Sequence, residues 1–301
     1  MLRKAPAQNT MRGLSAIALA MFCMSFVDAA VKWLGGTGFH AVQIVFLRYV
    51  IGLIALAPLL WMAGRDALVT ERPFAHILRA LLIGSATVLF FWSLKYMPLA
   101  EAVAIAFTAP LFITALSVPV LGERVGVHRW IAVVVGFVGM LVIVRPGSDS
   151  FRSEAFLVLS AALFFALAVL YTRKISATES NLAILTYTSI VILVATAPFA
   201  AMTWRAPEQM DVLLLLFVGL LGSFGQFMMI VAYRNAPAAV NAPMDYTALI
   251  WTSILGWLIW HETPDWGVWL GAAIIVCAGL YIVNRETRYA RRLVRAGARA
   301  A

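Results

Sequence analysis

One stretch occurs twice in this chain, and it limits the possible folds more than any other feature. Lys95–Glu123 reads KYMPLAEAVAIAFTAPLFITALSVPVLGE, and Arg234–Glu262 reads RNAPAAVNAPMDYTALIWTSILGWLIWHE. The offset, 234 − 95 = 139, also sets Pro98 on Pro237, Glu123 on Glu262 and Trp130 on Trp269. An apolar run from Ala102 to Gly122, interrupted by Pro110 and Pro119, is long enough to cross a bilayer. The chain therefore reads as a duplication, with a Pro-interrupted helix as the fourth element of each half. The expected division is 1–147 for the first repeat and 148–301 for the second, which ends in a basic tail.

The rest of the sequence fits this plan only as a membrane protein. Hydrophobic residues make up 63% of the chain and charged ones 12%, too few to cover a soluble protein of this length. Ten apolar segments can be marked at about 13–34, 41–63, 76–96, 99–121, 128–145, 154–173, 181–203, 211–233, 238–260 and 265–284. The fold class is all-α, ten transmembrane helices in an inverted 5+5 repeat around a central cavity. The first segment is expected to be a retained span and not a cleaved signal peptide. Cys23 and Cys277 both lie in apolar runs, so neither a disulfide framework nor a metal site is indicated.

Ten spans put both termini on one side. With the termini cytoplasmic, that face carries seventeen of the 23 cations. The opposite face keeps five (Lys32, Lys95, Arg145, Arg152, Arg205), and Arg48 lies within a span. Lys and Arg stay on the cytoplasmic face, so the expected location is the inner (plasma) membrane, multi-pass, both ends inside. The net charge of +9 is explained by this orientation, and no nucleic-acid partner is expected. Five spans per repeat force the halves to enter the membrane in opposite senses, which suits alternating access.

No catalytic constellation is present. The histidines fall at loops or helix ends, and the pairs Gly84-Ser85 and Gly222-Ser223 lack a base, so they read as close-packing points. No cofactor, metal ligand set or ATP-binding segment is indicated. Charged side chains at membrane depth cost ~2.5–3.5 kcal/mol each and point to function. Asp28, Lys32, Arg48, Lys95 and Glu101 belong to the first four spans. Arg48 needs a carboxylate, Asp28 or Glu101, whereas Lys32 and Lys95 can snorkel to the interface and Asp28 can pair with a cation. Arg234, Asn241 and Asp245 form a polar set at the other mouth, so the two clusters read as gates. Trp92, Tyr96, Phe107, Tyr171, Tyr187, Tyr246 and Trp251 are candidates to line a substrate cavity, with helix packing as the plainer reading. Pro110, Pro119 and Pro243 are expected to kink their helices. Glu123 and Glu262 are expected to cap the helices that follow them.

The segment FFWSLKYMPLAEAVAIAFTAPLFITALSVPVLGERVGVHRWIAVVVGFVGMLVIVRPG, Phe90–Gly147, and its weaker echo Ala232–Asn284 resemble the drug/metabolite transporter superfamily, in its ten-span EamA-type branch. The Pro in the fourth span, the Gly-Glu-Arg after it and the Gly-rich fifth span ending in Arg-Pro carry the resemblance. It implies a ten-helix basket, with spans 1–4 and 6–9 around a cavity and spans 5 and 10 at the periphery. It also implies a secondary transporter of small organic metabolites, an exporter of aromatic or apolar amino acids being the first expectation. Uptake or exchange of a flat metabolite (a vitamin, nucleoside or S-adenosylmethionine) is the alternative, and an intramembrane enzyme is the alternative of another class. The expected partners are a small-molecule substrate and the lipid bilayer, with the chain a monomer or homodimer.

Overall fold

In the computed structural model of the chain, residues 10–63, 70, 72–123, 125–148, 151–175, 181–236 and 238–300 are described. Helices follow the apolar runs: α1 Thr10–Gly36, α2 Ala41–Ala63, α3 Pro73–Leu94, α4 Leu99–Ala106, α5 Ala109–Leu121 and α6 Val127–Val144 in the first half. The second half holds α7 Ala155–Ile175, α8 Asn181–Met202, α9 Gln209–Asn235, α10 Ala238–Asp245, α11 Thr247–Trp260 and α12 Trp266–Ala300. Nine spans among the described residues have the length and apolar composition to cross a membrane, with α4 and α5 together forming one of them. The pair α10–α11 stands at the position of the tenth expected span and is not among those nine. A bilayer cannot hydrogen-bond to exposed backbone, which is why the spans are helical.

The inverted repeat is visible in the packing. α1 lies on α9 as α7 lies on α3, and α2 lies on α9 as α8 lies on α3. Small residues permit these approaches. A Cβ on Gly84 would come within 2.9 Å of Ile192 on α8, and one on Gly222 within 3.1 Å of Arg48 on α2. These are the two Gly-Ser positions that the sequence assigned to packing, and they occupy matching helix contacts in the two halves.

The last helix of each half, α6 and α12, pair with one another. Their crossing is set by Gly139 and Gly271. A Cβ at Gly271 would lie 2.5 Å from the Gly139 carbonyl oxygen, and one at Gly139 would lie 2.9 Å from that of Gly271. Backbone cannot yield as a side chain can. Gly271→Val is expected to part the two helices and cost about 2–3 kcal/mol, measured as a lower unfolding temperature in detergent; an unchanged melting curve would refute this contact.

The two Pro-bearing spans are both broken in the middle, at the same register. α4 ends and α5 begins at Phe107–Thr108, and α10 gives way to α11 at Tyr246, which is 107 + 139. Pro110 does not kink the interior of a helix but stands in the first turn of α5. Its missing N–H removes the donor for the Ala106 carbonyl. The chain passes the break on tighter bonds, Thr108 N–H to Ile105 O at 3.0 Å and Leu111 N–H to Thr108 O at 2.9 Å. Leu249 takes the place of Pro110 in the second half, yet the break is there too. Pro119 and Pro243 do sit inside their helices, α5 and α10.

Packing is lopsided with respect to the repeat. At the end of the bundle where α1 finishes, called here the Lys32 end, α4 packs on α11 and α1 on α3. The equivalent pairs at the opposite, Asn235 end are α5 with α10 and α7 with α9. Among the described residues these do not pack comparably. The α4–α11 and α1–α3 contacts close the Lys32 end, and among the described residues their counterparts at the Asn235 end are not made to that extent.

Candidate functional site

Lys32 holds the closed end together. Its Nζ donates to Glu262 Oε1 at 2.5 Å and to the Met97 carbonyl at 2.6 Å, and it lies 5.2 Å from the centre of the Trp260 ring. The second Glu262 oxygen accepts the Leu99 backbone N–H at 3.0 Å. Pro98, with extended backbone, starts α4 and leaves that first-turn N–H without a helical acceptor. A carboxylate from the opposite half fills the vacancy, where the helix dipole also favours it. One residue after α11 thus joins α1, the turn before α4, and α4 itself.

This arrangement corrects two readings of the sequence. Lys32 does not snorkel to the interface: it is 7% exposed and ion-paired. Glu262 does not cap the helix after it. Asp265 does so, accepting the Val268 N–H at 2.9 Å and pairing with Arg145 at 2.5 Å. The Val268 N–H, followed by the Arg145 guanidinium, holds the Asp265 carboxyl below the usual carboxylate range. That stabilisation is present at neutral pH and is lost only as pH falls through the lowered value.

The other members of the first polar cluster are arranged differently. Arg48 forms no ion pair with Asp28 or Glu101. Its guanidinium lies 5.4 Å from the Phe91 ring and 5.9 Å from that of Tyr49, within electrostatic reach of Asp28. Lys95 ends α3 at the surface, 5.4 Å over the Tyr96 ring. Glu101 stands in the first turn of α4 and lines a recess at the Lys32 end.

In the second cluster, the Arg234 side chain lies outside the described residues. Asn241 is completely buried, and its Nδ2 donates to the Ala236 carbonyl at a long 3.4 Å. Asp245 Oδ2 accepts from the Tyr233 hydroxyl at 3.3 Å. The remaining oxygens, Asn241 Oδ1 and Asp245 Oδ1, are buried and have no donor. They are four residues apart on α10, hence on one face. A short helix that ends at the break thus carries two unmet acceptors, a costly arrangement kept at functional sites.

The aromatic candidates divide. Phe107 and Tyr246 meet edge to face at 4.9 Å and join the two helix breaks. The Tyr246 hydroxyl occupies the space a Cβ on Gly279 would need, at 2.1 Å, so α12 seats the ring. Trp251 packs edge-on against Phe22 at 5.0 Å, and Tyr187 lies 4.9 Å from His76. Tyr171 is half-buried on α7. Trp92 is not deep: it is 39% exposed near the end of α3, beside His40, and Tyr96 follows in the turn, 45% exposed. The seven do not share one wall.

Arg79 was not singled out by the sequence reading, which set it three residues into the segment 76–96 and counted it with the cytoplasmic-face cations. α3 begins at Pro73, so Arg79 is almost two turns inside the span, donating from Nε to Thr172 at 2.6 Å and from Nη1 to Thr188 at 2.5 Å. The Pro at the helix start was the available signal.

The EamA-like transporter family matches the chain twice, over residues 11–145 and 152–285. A protein of Rickettsia prowazekii named S-adenosylmethionine uptake transporter is 32% identical over 278 residues, covering 92% of this chain and 94% of its own. Its namesake in Rickettsia bellii is 33% identical over 276 residues, with the same coverage. A riboflavin transporter of Vibrio cholerae is 32% identical over 258 residues, covering 85% of this chain and 87% of its own. A protein of known crystal structure superposes with a TM-score of 0.62 at 19% identity, covering 93% of this chain and 98% of that one, a likeness of fold.

Proposed function

The chain belongs to the EamA-like transporter family, and we propose that it carries a flat heteroaromatic metabolite by alternating access, with S-adenosylmethionine the first candidate. It is a multi-pass membrane transporter of small metabolites and not an enzyme. The observation that carries the mechanism is one-sided closure in a twofold-repeated fold. Each half can take the other's conformation, so a bundle closed at the Lys32 end implies a partner state closed at the Asn235 end. The broken helices are the moving parts, with Phe107 and Tyr246 as their pivot and a ring surface on which a flat substrate can stack. With both termini cytoplasmic, in the inner membrane, the Lys32 end faces outward and this state opens to the cytoplasm.

The substrate reading is supported by the relatives named for S-adenosylmethionine uptake. The Vibrio cholerae relative supports riboflavin as the second reading. Amino-acid export, the first expectation from the resemblance, has no support among these relatives. Counterflow in proteoliposomes loaded with S-adenosylmethionine, riboflavin or aromatic amino acids separates the three. Exchange of S-adenosylmethionine well above the other compounds is the expected result. Exchange of aromatic amino acids alone would restore the export reading, and silence from folded protein would remove all three.

A further inference from the structure

At the Lys32 end, outside the closed contact of α4 and α11, lies a recess of about 480 Å³ with walls of both charges. Its size suits a small ligand. Two of its charges are spent on each other: Arg145 Nη2 donates to Asp265 at 2.5 Å, and Arg145 Nε to the Val142 carbonyl at 3.3 Å. Two are not. Arg152 makes one weak contact, from Nη1 to the Tyr96 carbonyl at 3.4 Å, which leaves most of its donors open. Glu101, half-buried in the same lining and within electrostatic reach of Arg152, makes no hydrogen bond or ion pair with any described residue. Nor do Glu101 and Arg152 pair with one another. Phe151 and Val268 add apolar surface to the lining.

We infer that this recess is a reception site for an α-amino-acid head group, the substrate's carboxylate going to Arg152 and its ammonium to Glu101. A lone anion would leave Glu101 without a partner, and a lone cation would leave the exposed Arg152 to water. A zwitterion satisfies both, and a guanidinium with open donors can take a carboxylate through two parallel bonds. Glu101 follows Leu99 by two residues, and the Leu99 N–H is held by Glu262. A ligand seated on Glu101 is therefore less than one helical turn from the Lys32–Glu262 pair that must part for entry. The inference rests on the small-metabolite transport reading and narrows it. S-adenosylmethionine and methionine carry this head group, whereas riboflavin carries neither charge.

The test is calorimetric binding of S-adenosylmethionine, methionine, methionine methyl ester and riboflavin to the full chain in nanodiscs. Glu101→Gln and Arg152→Gln are each expected to weaken S-adenosylmethionine and methionine roughly tenfold. The ester, which lacks the carboxylate, responds to Glu101→Gln but not to Arg152→Gln, and Arg152→Lys retains part of the affinity. Riboflavin, if bound, is unchanged. Unaltered binding of S-adenosylmethionine to both folded variants would overturn the reception site and leave the transport reading standing, as would equal losses for riboflavin. A wild-type protein that neither binds nor exchanges any of these compounds would overturn both.

Discussion

Glu262→Gln is expected to cut exchange by at least roughly tenfold and to lower the unfolding temperature by about 5 °C or more. Lys32 is 7% exposed, so its ammonium has little water to turn to when the carboxylate is gone. Removing one partner of such a buried pair costs about 3–5 kcal/mol, because the other charge remains without compensation. The amide can still accept the Leu99 N–H, so the variant isolates the charge from the cap. The cost falls on the state in which α4 and α11 meet. A bias of about 3 kcal/mol shifts a two-state equilibrium by roughly a hundredfold toward the state closed at the other end. A cysteine introduced at Leu99 should then react faster with an impermeant maleimide added from the Lys32 side. The double variant Lys32→Met/Glu262→Met should regain most of the stability, since an apolar pair pays no desolvation, while exchange stays low. Normal exchange and normal melting in Glu262→Gln would remove the pair from the mechanism.

The second large effect has the opposite sign in stability. Asp245→Asn is expected to raise the unfolding temperature by about 4 °C and to reduce exchange at least tenfold. No described cation pairs with Asp245; its one hydrogen bond is the Tyr233 hydroxyl at 3.3 Å, and its other oxygen is buried and unmet. A carboxylate at membrane depth costs ~2.5–3.5 kcal/mol, and the amide removes that cost while still accepting from Tyr233. Asn241→Ala should act in the same direction, more weakly, by deleting an unmet carbonyl worth about 1–3 kcal/mol and leaving a small cavity. Two unmet acceptors on one face of a short helix add nothing to stability, which is why the loss is expected in exchange. If Asp245→Asn lowered the melting temperature and left exchange intact, Asp245 would be structural.

The polar residues show where sequence reasoning stops. Lys32 and Glu262 were each noticed, one as an interfacial or gating cation and one as a cap, and were never joined. They stand 230 residues apart, and the first half alone offers Lys32 a nearer carboxylate in Asp28, four residues back on the same helix. Arg48 was expected to need a carboxylate, yet rings and a glycine carry it in place of an ion pair. Arg79 escaped because a start at 76 set it in the first turn of its span, where a cation passes as interfacial, whereas α3 begins at Pro73 and carries it almost two turns in.

What the sequence determined by itself is the architecture. Apolar runs of bilayer length, an offset of 139 and an odd number of spans per half are local or periodic signals, and lipid turns them into an inverted helical repeat with little freedom left. The tertiary structure alone decided which polar groups meet and which end is closed. Helix breaks at Phe107 and Tyr246 coincide although only one has proline in the matching place, because the two rings pack against each other across the repeat axis. The Lys32–Glu262 pair arises in the same way. A buried charge takes whatever partner the packed helices bring within about 3 Å, and separation along the chain plays no part in that choice.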